Sequence, residues 1–154
     1  MTESDKTLSE STENYLETIL LLVQKSPVAR ARDIALRLKV NRSSVSGALH
    51  DLSGRGLINY EPYGFVTLTP EGMEIATKIL RRHEALRDFF VNVLSIDRAE
   101  ADQAACRMEH GVSNAIVDRL LDLSAFMKTC PRVGDKRPRH IARRVRRTRE
   151  PGTG

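Results

Sequence analysis

Long apolar runs are missing from this chain. The longest obvious one is Ile19-Leu20-Leu21-Leu22-Val23, far short of the roughly 20 residues that cross a bilayer as a helix. No membrane partner is expected. Cysteine is scarce. Two in 154 residues do not make a disulfide framework, which points to a reducing cytoplasm. The opening residues Met1-Thr2-Glu3-Ser4-Asp5 are polar and acidic, unlike a secretion signal. Internal repeats, nucleophile motifs and pocket-building insertions are also missing, so neither an enzyme nor a small-molecule substrate is expected. What is present is a 40% hydrophobic share, enough for the core of one domain or two small lobes.

Charge is unevenly spread. Residues 132–154 hold nine Arg and Lys against Asp135 and Glu150, a surplus of seven; since the whole chain carries +5, residues 1–131 carry −2. Within that part, residues 26–65 hold six basic residues against three acids, and residues 95–128 hold four against six. A cationic front and an anionic back suit a DNA face and a cation-binding face.

Apolar spacing predicts a mainly α fold. Tyr15, Leu16, Ile19, Leu20, Leu22 and Val23 lie on one helical face, with Ser11 or Thr12 as the expected N-cap. Residues 31–38 and 43–53 read as two short amphipathic helices joined by a turn at Val40-Asn41. Residues 57–60 and 65–68 alternate on either side of Pro62-Tyr63-Gly64, as a β-hairpin does. Helix, turn, helix and hairpin make a winged helix-turn-helix. Thr69-Pro70-Glu71 then starts a long helix ending near Leu94, with a threonine N-cap and proline at the first helical position. A helix from Asp97 to Glu109-His110-Gly111 and one from Ser113 to Phe126 complete a helical second domain.

In a helix-turn-helix the second helix enters the major groove by its N-terminal half. The outward positions there are Arg42, Ser43, Ser44, Ser46, Gly47 and His50. Small hydroxyl and glycine positions let the helix backbone approach the duplex. Arg42 and the helix N-terminus suit phosphate. Tyr63, at the tip of the wing, is expected along the DNA backbone or minor groove.

Cys106, Glu109 and His110 fall at i, i+3 and i+4. On one helix face they would offer a thiolate, a carboxylate and an imidazole within about one turn, three good donors for a borderline transition metal. His83 on the long helix, and Asn14 and Glu17 on the first, are candidates to join them. A metal site beside a DNA reader makes a metal-sensing switch.

The order Thr12-Glu13-Asn14-Tyr15-Leu16-Glu17, Asp33-Ile34-Ala35, Ser43-Ser44-Val45-Ser46, Gly56-Leu57-Ile58-Asn59-Tyr60-Glu61, Leu68-Thr69-Pro70-Glu71-Gly72, Arg82-His83 and Cys106-Arg107-Met108-Glu109-His110 resembles the diphtheria-toxin-repressor family of iron- and manganese-dependent repressors. The resemblance implies a homodimeric repressor that takes up Fe(II) or Mn(II) and then binds an operator. It also implies a metal that bridges the winged-helix domain and the helical dimerisation domain. Carried over by position, Cys106, Glu109 and His110 match the main ligand cluster. Asn14 falls where iron-type members have methionine and manganese-type members aspartate, His83 matches a second-position ligand, and Glu17 a first-helix carboxylate. There are departures. Arg87 stands where a glutamate is frequent, Asp102 where iron-type members can have histidine (a candidate further ligand), and a basic tail where larger members carry an SH3-like domain.

The expected layout is a frayed N-terminus at 1–10, a winged helix-turn-helix DNA-binding domain at 11–72, a helical metal-binding and dimerisation domain at 73–130, and a basic disordered tail at 131–154. Cys106 favours Fe(II) over Mn(II), because sulfur suits softer ions; Zn(II) and Co(II) are expected to bind in vitro. Affinity should fall at low pH, since the ligands must be deprotonated. Two competing readings are a metal-free winged-helix regulator with Cys106 as a redox-responsive thiol, and a metallohydrolase with Glu109 as general base.

Overall fold

The computed structural model describes residues 8–61 and 64–129. Its elements run α1 (Glu10–Val23), α2 (Ala31–Leu38), α3 (Arg42–Gly54), β1 (Ile58–Tyr60), β2 (Val66–Leu68), α4 (Pro70–Asn92), α5 (Arg98–Met108) and α6 (Asn114–Thr129), with a 3-10 turn at Glu109–Gly111. The chain divides into two compact units, Met1–Leu80 and Arg81–Gly154, and the division falls inside α4. The basic tail, Cys130 and the wing-tip Tyr63 lie outside the described residues.

In the first unit, the N-cap of α1 is Ser9, two residues before Ser11, the nearer of the two expected caps. Ser9 Oγ accepts the Thr12 N–H at 3.2 Å, and Glu10 and Glu13 put negative charge at the positive end of the helix. The expected caps Ser11 and Thr12 lie inside the helix instead. α2 ends at Lys39, whose φ of 56° is left-handed. Two residues later the Asn41 side chain caps α3 by accepting the Ser44 N–H at 2.8 Å. This pair of caps fixes the turn between the two helices. Leu16, Ile19, Ile34, Val45, Leu49 and Leu52 are at most 1% exposed. Fully burying a side chain of this kind stabilises the fold by about 1.5–3 kcal/mol.

The hairpin pairs antiparallel, with Ile58 opposite Leu68, Asn59 opposite Thr67 and Tyr60 opposite Val66. Ala29 pairs with the other edge of β2 as an isolated antiparallel bridge to Val66. Its N–H donates to the Val66 carbonyl at 3.0 Å and its carbonyl accepts from the Val66 N–H at 2.9 Å. Thr69 then joins the hairpin to α4. Its hydroxyl donates to the Gly56 carbonyl at 2.7 Å and accepts the Gly72 N–H at 3.1 Å. A Cβ on Gly72 would stand 1.8 Å from the Leu57 carbonyl oxygen, so only glycine allows this approach.

The second unit buries Ala85 and Leu86 of α4, Val93 just after it, Ala101 and Ala105 of α5, and Val117 of α6. Its helices are also tied by polar links. Arg81 of α4 reaches Asp118 of α6 at 3.1 Å, and His83 of α4 reaches Asp102 of α5 at 2.9 Å. Asp97 caps α5 by accepting the Ala99 N–H at 3.0 Å. The mainly α architecture, a winged helix-turn-helix followed by a helical domain, is the one the sequence predicts. Among the described residues, no helix is long and apolar enough to cross a membrane.

Candidate metal centre and nucleic-acid interface

His83 lies on the part of α4 that belongs to the second unit and is 8% exposed. Its Nδ1 is 2.6 Å from Glu109 Oε2, and its Nε2 is 2.9 Å from Asp102 Oδ1. Glu109 is fully buried. Its other oxygen, Oε1, makes no hydrogen bond among the described residues, although His110 Nε2 stands 3.4 Å away. A buried carboxylate with one oxygen unsatisfied is costly. A divalent cation beside Glu109 and the two imidazoles would remove that cost, so the donor set fits a metal.

Local structure explains the convergence. α5 ends at Met108 and tightens into the 3-10 turn that carries Glu109 and His110. Three residues per turn replace 3.6 there, so side-chain directions shift relative to the helix before it. Glu109 is buried, the His110 side chain is 7% exposed, and Cys106, still in the α-helical part, is exposed. Asn14 is half-buried and Glu17 buried on α1. Arg87, one of the departures from the family pattern, pairs with its neighbour Asp88 at 3.1 Å. The structure thus gathers His83, Asp102, Glu109 and His110, and leaves Cys106 exposed. The contact between His83 and Asp102 has no signal in the sequence, because 19 residues and an interhelical turn separate the two.

On the recognition helix α3, Val45 and Leu49 are buried while Arg42, Ser43, Ser44, Gly47 and His50 are exposed and Ser46 is half-buried. A Cβ on Gly47 would meet nothing within 4 Å. His50 makes an edge-to-face contact with Tyr60 of β1, ring centres 5.4 Å apart, which links the recognition helix to the base of the wing. Arg30 lies over the Phe65 ring at 5.4 Å. None of these contacts is legible in local sequence pattern.

A winged helix-turn-helix joined to a helical unit with a buried histidine–carboxylate cluster defines a metal-responsive DNA-binding regulator. Residues 7–66 match the iron-dependent repressor N-terminal DNA-binding domain, and residues 69–139 the iron-dependent repressor metal-binding and dimerisation domain. The chain therefore belongs to the iron-dependent repressor family. It is 37% identical over 115 residues to an uncharacterized HTH-type transcriptional regulator of Methanocaldococcus jannaschii, covering 73% of this chain and 91% of the relative. It is 33% identical over 126 residues to the HTH-type transcriptional regulator MntR of Lysinibacillus sphaericus, covering 82% and 90%. Among solved structures it resembles T. acidophilum IdeR, with a TM-score of 0.68 and 28% identity over 73% of this chain. A manganese-dependent transcriptional repressor in complex with manganese also gives 0.68, with 30% identity over 75%. The chain spans 53% of the length of each of these two solved chains. Members of the family are metal-dependent transcriptional repressors that bind operator DNA as dimers; they are not enzymes. The metal-free redox regulator and the metallohydrolase are accordingly not retained.

Proposed function

We propose that this metal-dependent repressor responds to Fe(II) ahead of Mn(II), acts in the cytoplasm and controls genes of metal homeostasis. The observation that carries the metal reading is the buried Glu109 carboxylate, held by His83 on one oxygen and unsatisfied on the other. The preference for Fe(II) rests on Cys106 and on the neutral amide of Asn14, which lower the oxygen-anion character that Mn(II) favours.

The proposed ligands are Cys106, Glu109, His110 and His83, with Asn14 and Glu17 contributed by α1. A bound cation would supply the positive charge that draws these donors together. The chain's own residues would do the rest. Glu109 and His110 stand at the turn after α5, His83 on α4, and Asn14 and Glu17 on the helix that helps bury the winged-helix core. Ordering these groups would set the spacing of two recognition helices in a dimer to half-sites about one helical turn apart, or a multiple of that. A differential stabilisation of a few kcal/mol suffices to shift operator occupancy strongly.

The proposed DNA contacts are Arg42, Ser43, Ser44, Ser46, Gly47 and His50 on α3, with Tyr63 from the wing. The exposed face of α3 supports them. The proposed functional division is 11–72 for DNA binding and 73–130 for metal binding and dimerisation. Exposed Ile116, Leu123 and Phe126 on α6 offer apolar surface to the second copy. In the tail, nine basic residues at 132–154 would add salt-sensitive, sequence-independent DNA affinity.

The test is anaerobic titration of metal-free protein with Fe(II) and with Mn(II), reading binding to a duplex selected from a randomised pool by the metal-loaded protein. Binding should appear at lower free Fe(II) than Mn(II). Equal binding by metal-free protein would overturn the switch, and a lower Mn(II) threshold would overturn the iron preference.

A further inference from the structure

We propose that Asp102 is a positioning residue for the metal centre, not a ligand. It accepts the Nε2–H of His83 and so presents Nδ1 toward the cation that Glu109 would share. The inference rests on the metal reading above and assigns a role to a side chain whose position in the sequence offers only a candidate ligand.

The two nitrogens of His83 point to opposite sides of its ring. Nδ1 faces Glu109 Oε2 at 2.6 Å, on the side where Glu109 is fully buried and its Oε1 unsatisfied. Nε2 faces Asp102 Oδ1 at 2.9 Å, where the Asp102 side chain is 56% exposed. A cation bound by both Glu109 and His83 must take the Nδ1 side, because only that nitrogen faces the buried carboxylate. The imidazole ring then stands between the cation and Asp102, and one ion cannot bond both. A carboxylate on the far nitrogen of a ligating histidine has a definite chemical effect. It fixes the protonated nitrogen, sets the ring orientation and raises the basicity of the other nitrogen. Asp102 stands at that far nitrogen, 2.9 Å away, on α5, the same helix that leads into Glu109 and His110.

The test uses the full chain, its Asp102→Ala and Asp102→Asn variants, and Co(II) or Zn(II) as the metal. Co(II) affinity should fall about 10–100-fold in Asp102→Ala. At saturating Co(II) its visible absorption bands should keep the wild-type position and intensity, because no ligand has been lost. Asp102→Asn, which retains an acceptor oxygen, should recover most of the affinity. Long-range nitrogen–proton NMR of the Zn(II)-loaded wild type should report His83 bound through Nδ1 and protonated at Nε2. Unchanged affinity in Asp102→Ala would overturn the proposal, as would a changed Co(II) spectrum or zinc on Nε2. Failure of the wild type itself to bind Co(II) or Zn(II) would overturn the metal reading, and this proposal with it.

Discussion

His83 and Glu109 are 26 residues apart in sequence and 2.6 Å apart in space. The contact joins α4 to the 3-10 turn after α5 and buries a carboxylate completely. A carboxyl group held this way serves a cation better than it serves stability, since buried ion pairs contribute little net stabilisation over apolar packing.

Glu109→Gln separates the two roles. The substitution removes charge but hardly any volume, so the metal-free protein should stay within about 1 kcal/mol of wild type. Metal should stabilise the wild type by about 2.7 kcal/mol at a hundredfold excess over its dissociation constant. That increment should vanish in the variant. Thermal unfolding with and without Mn(II) or anaerobic Fe(II) measures both.

Gly72→Ala should be among the most damaging small substitutions. Its Cβ would sit 1.8 Å from the Leu57 carbonyl oxygen, and the obstacle is backbone that also accepts the Thr69 N–H at 3.1 Å. A loss of about 2–3 kcal/mol is expected. In urea unfolding the midpoint should drop while the slope stays constant.

Gly47→Ala should give opposite signs in two assays. The glycine lies within α3 with open space around it, so alanine should stabilise the helix by about 0.5–1 kcal/mol. If α3 lies close against the duplex, the added methyl group should weaken DNA binding, by roughly tenfold or about 1.4 kcal/mol. Unfolding and mobility-shift measurements on one preparation test both directions.

Tyr15 gives the fold an alkaline limit. Burial in the core raises its phenol above the ordinary value of 10.0. The unfolded chain therefore loses this proton at lower pH than the folded chain. Stability falls as pH rises past the unfolded value, and the loss continues until the folded phenol also ionises. Tyr15→Phe should show a smaller decline as pH rises above about 10 when urea midpoints are compared.

Much of the fold is local, and local signals were sufficient for it. α2 spans the residues its apolar spacing indicated, and Thr69-Pro70 starts α4 as a threonine cap and N1 proline should. The cap of α1 differs from the expected Ser11 or Thr12 because competing local chemistry is available. Ser9, Ser11 and Thr12 are all acceptable caps, and only the packing of Tyr15, Leu16 and Ile19 sets where the first turn begins. The site was less legible. The i, i+3, i+4 spacing of Cys106, Glu109 and His110 assumes an unbroken α-helix, but the turn tightens at Glu109, which is buried while Cys106 is exposed.

The sequence by itself determined the elements, their order, the outward face of α3 and the residue types able to hold a metal, because helical period, caps and turn residues act over a few neighbours. Only the tertiary structure decided which donors meet. The pairing of His83 with Glu109 on one nitrogen and Asp102 on the other depends on how α4 and α5 come together. That is fixed by the burial of Leu86, Ala101 and Ala105 in the second unit, and side-chain packing across long separations leaves no periodic trace in the chain.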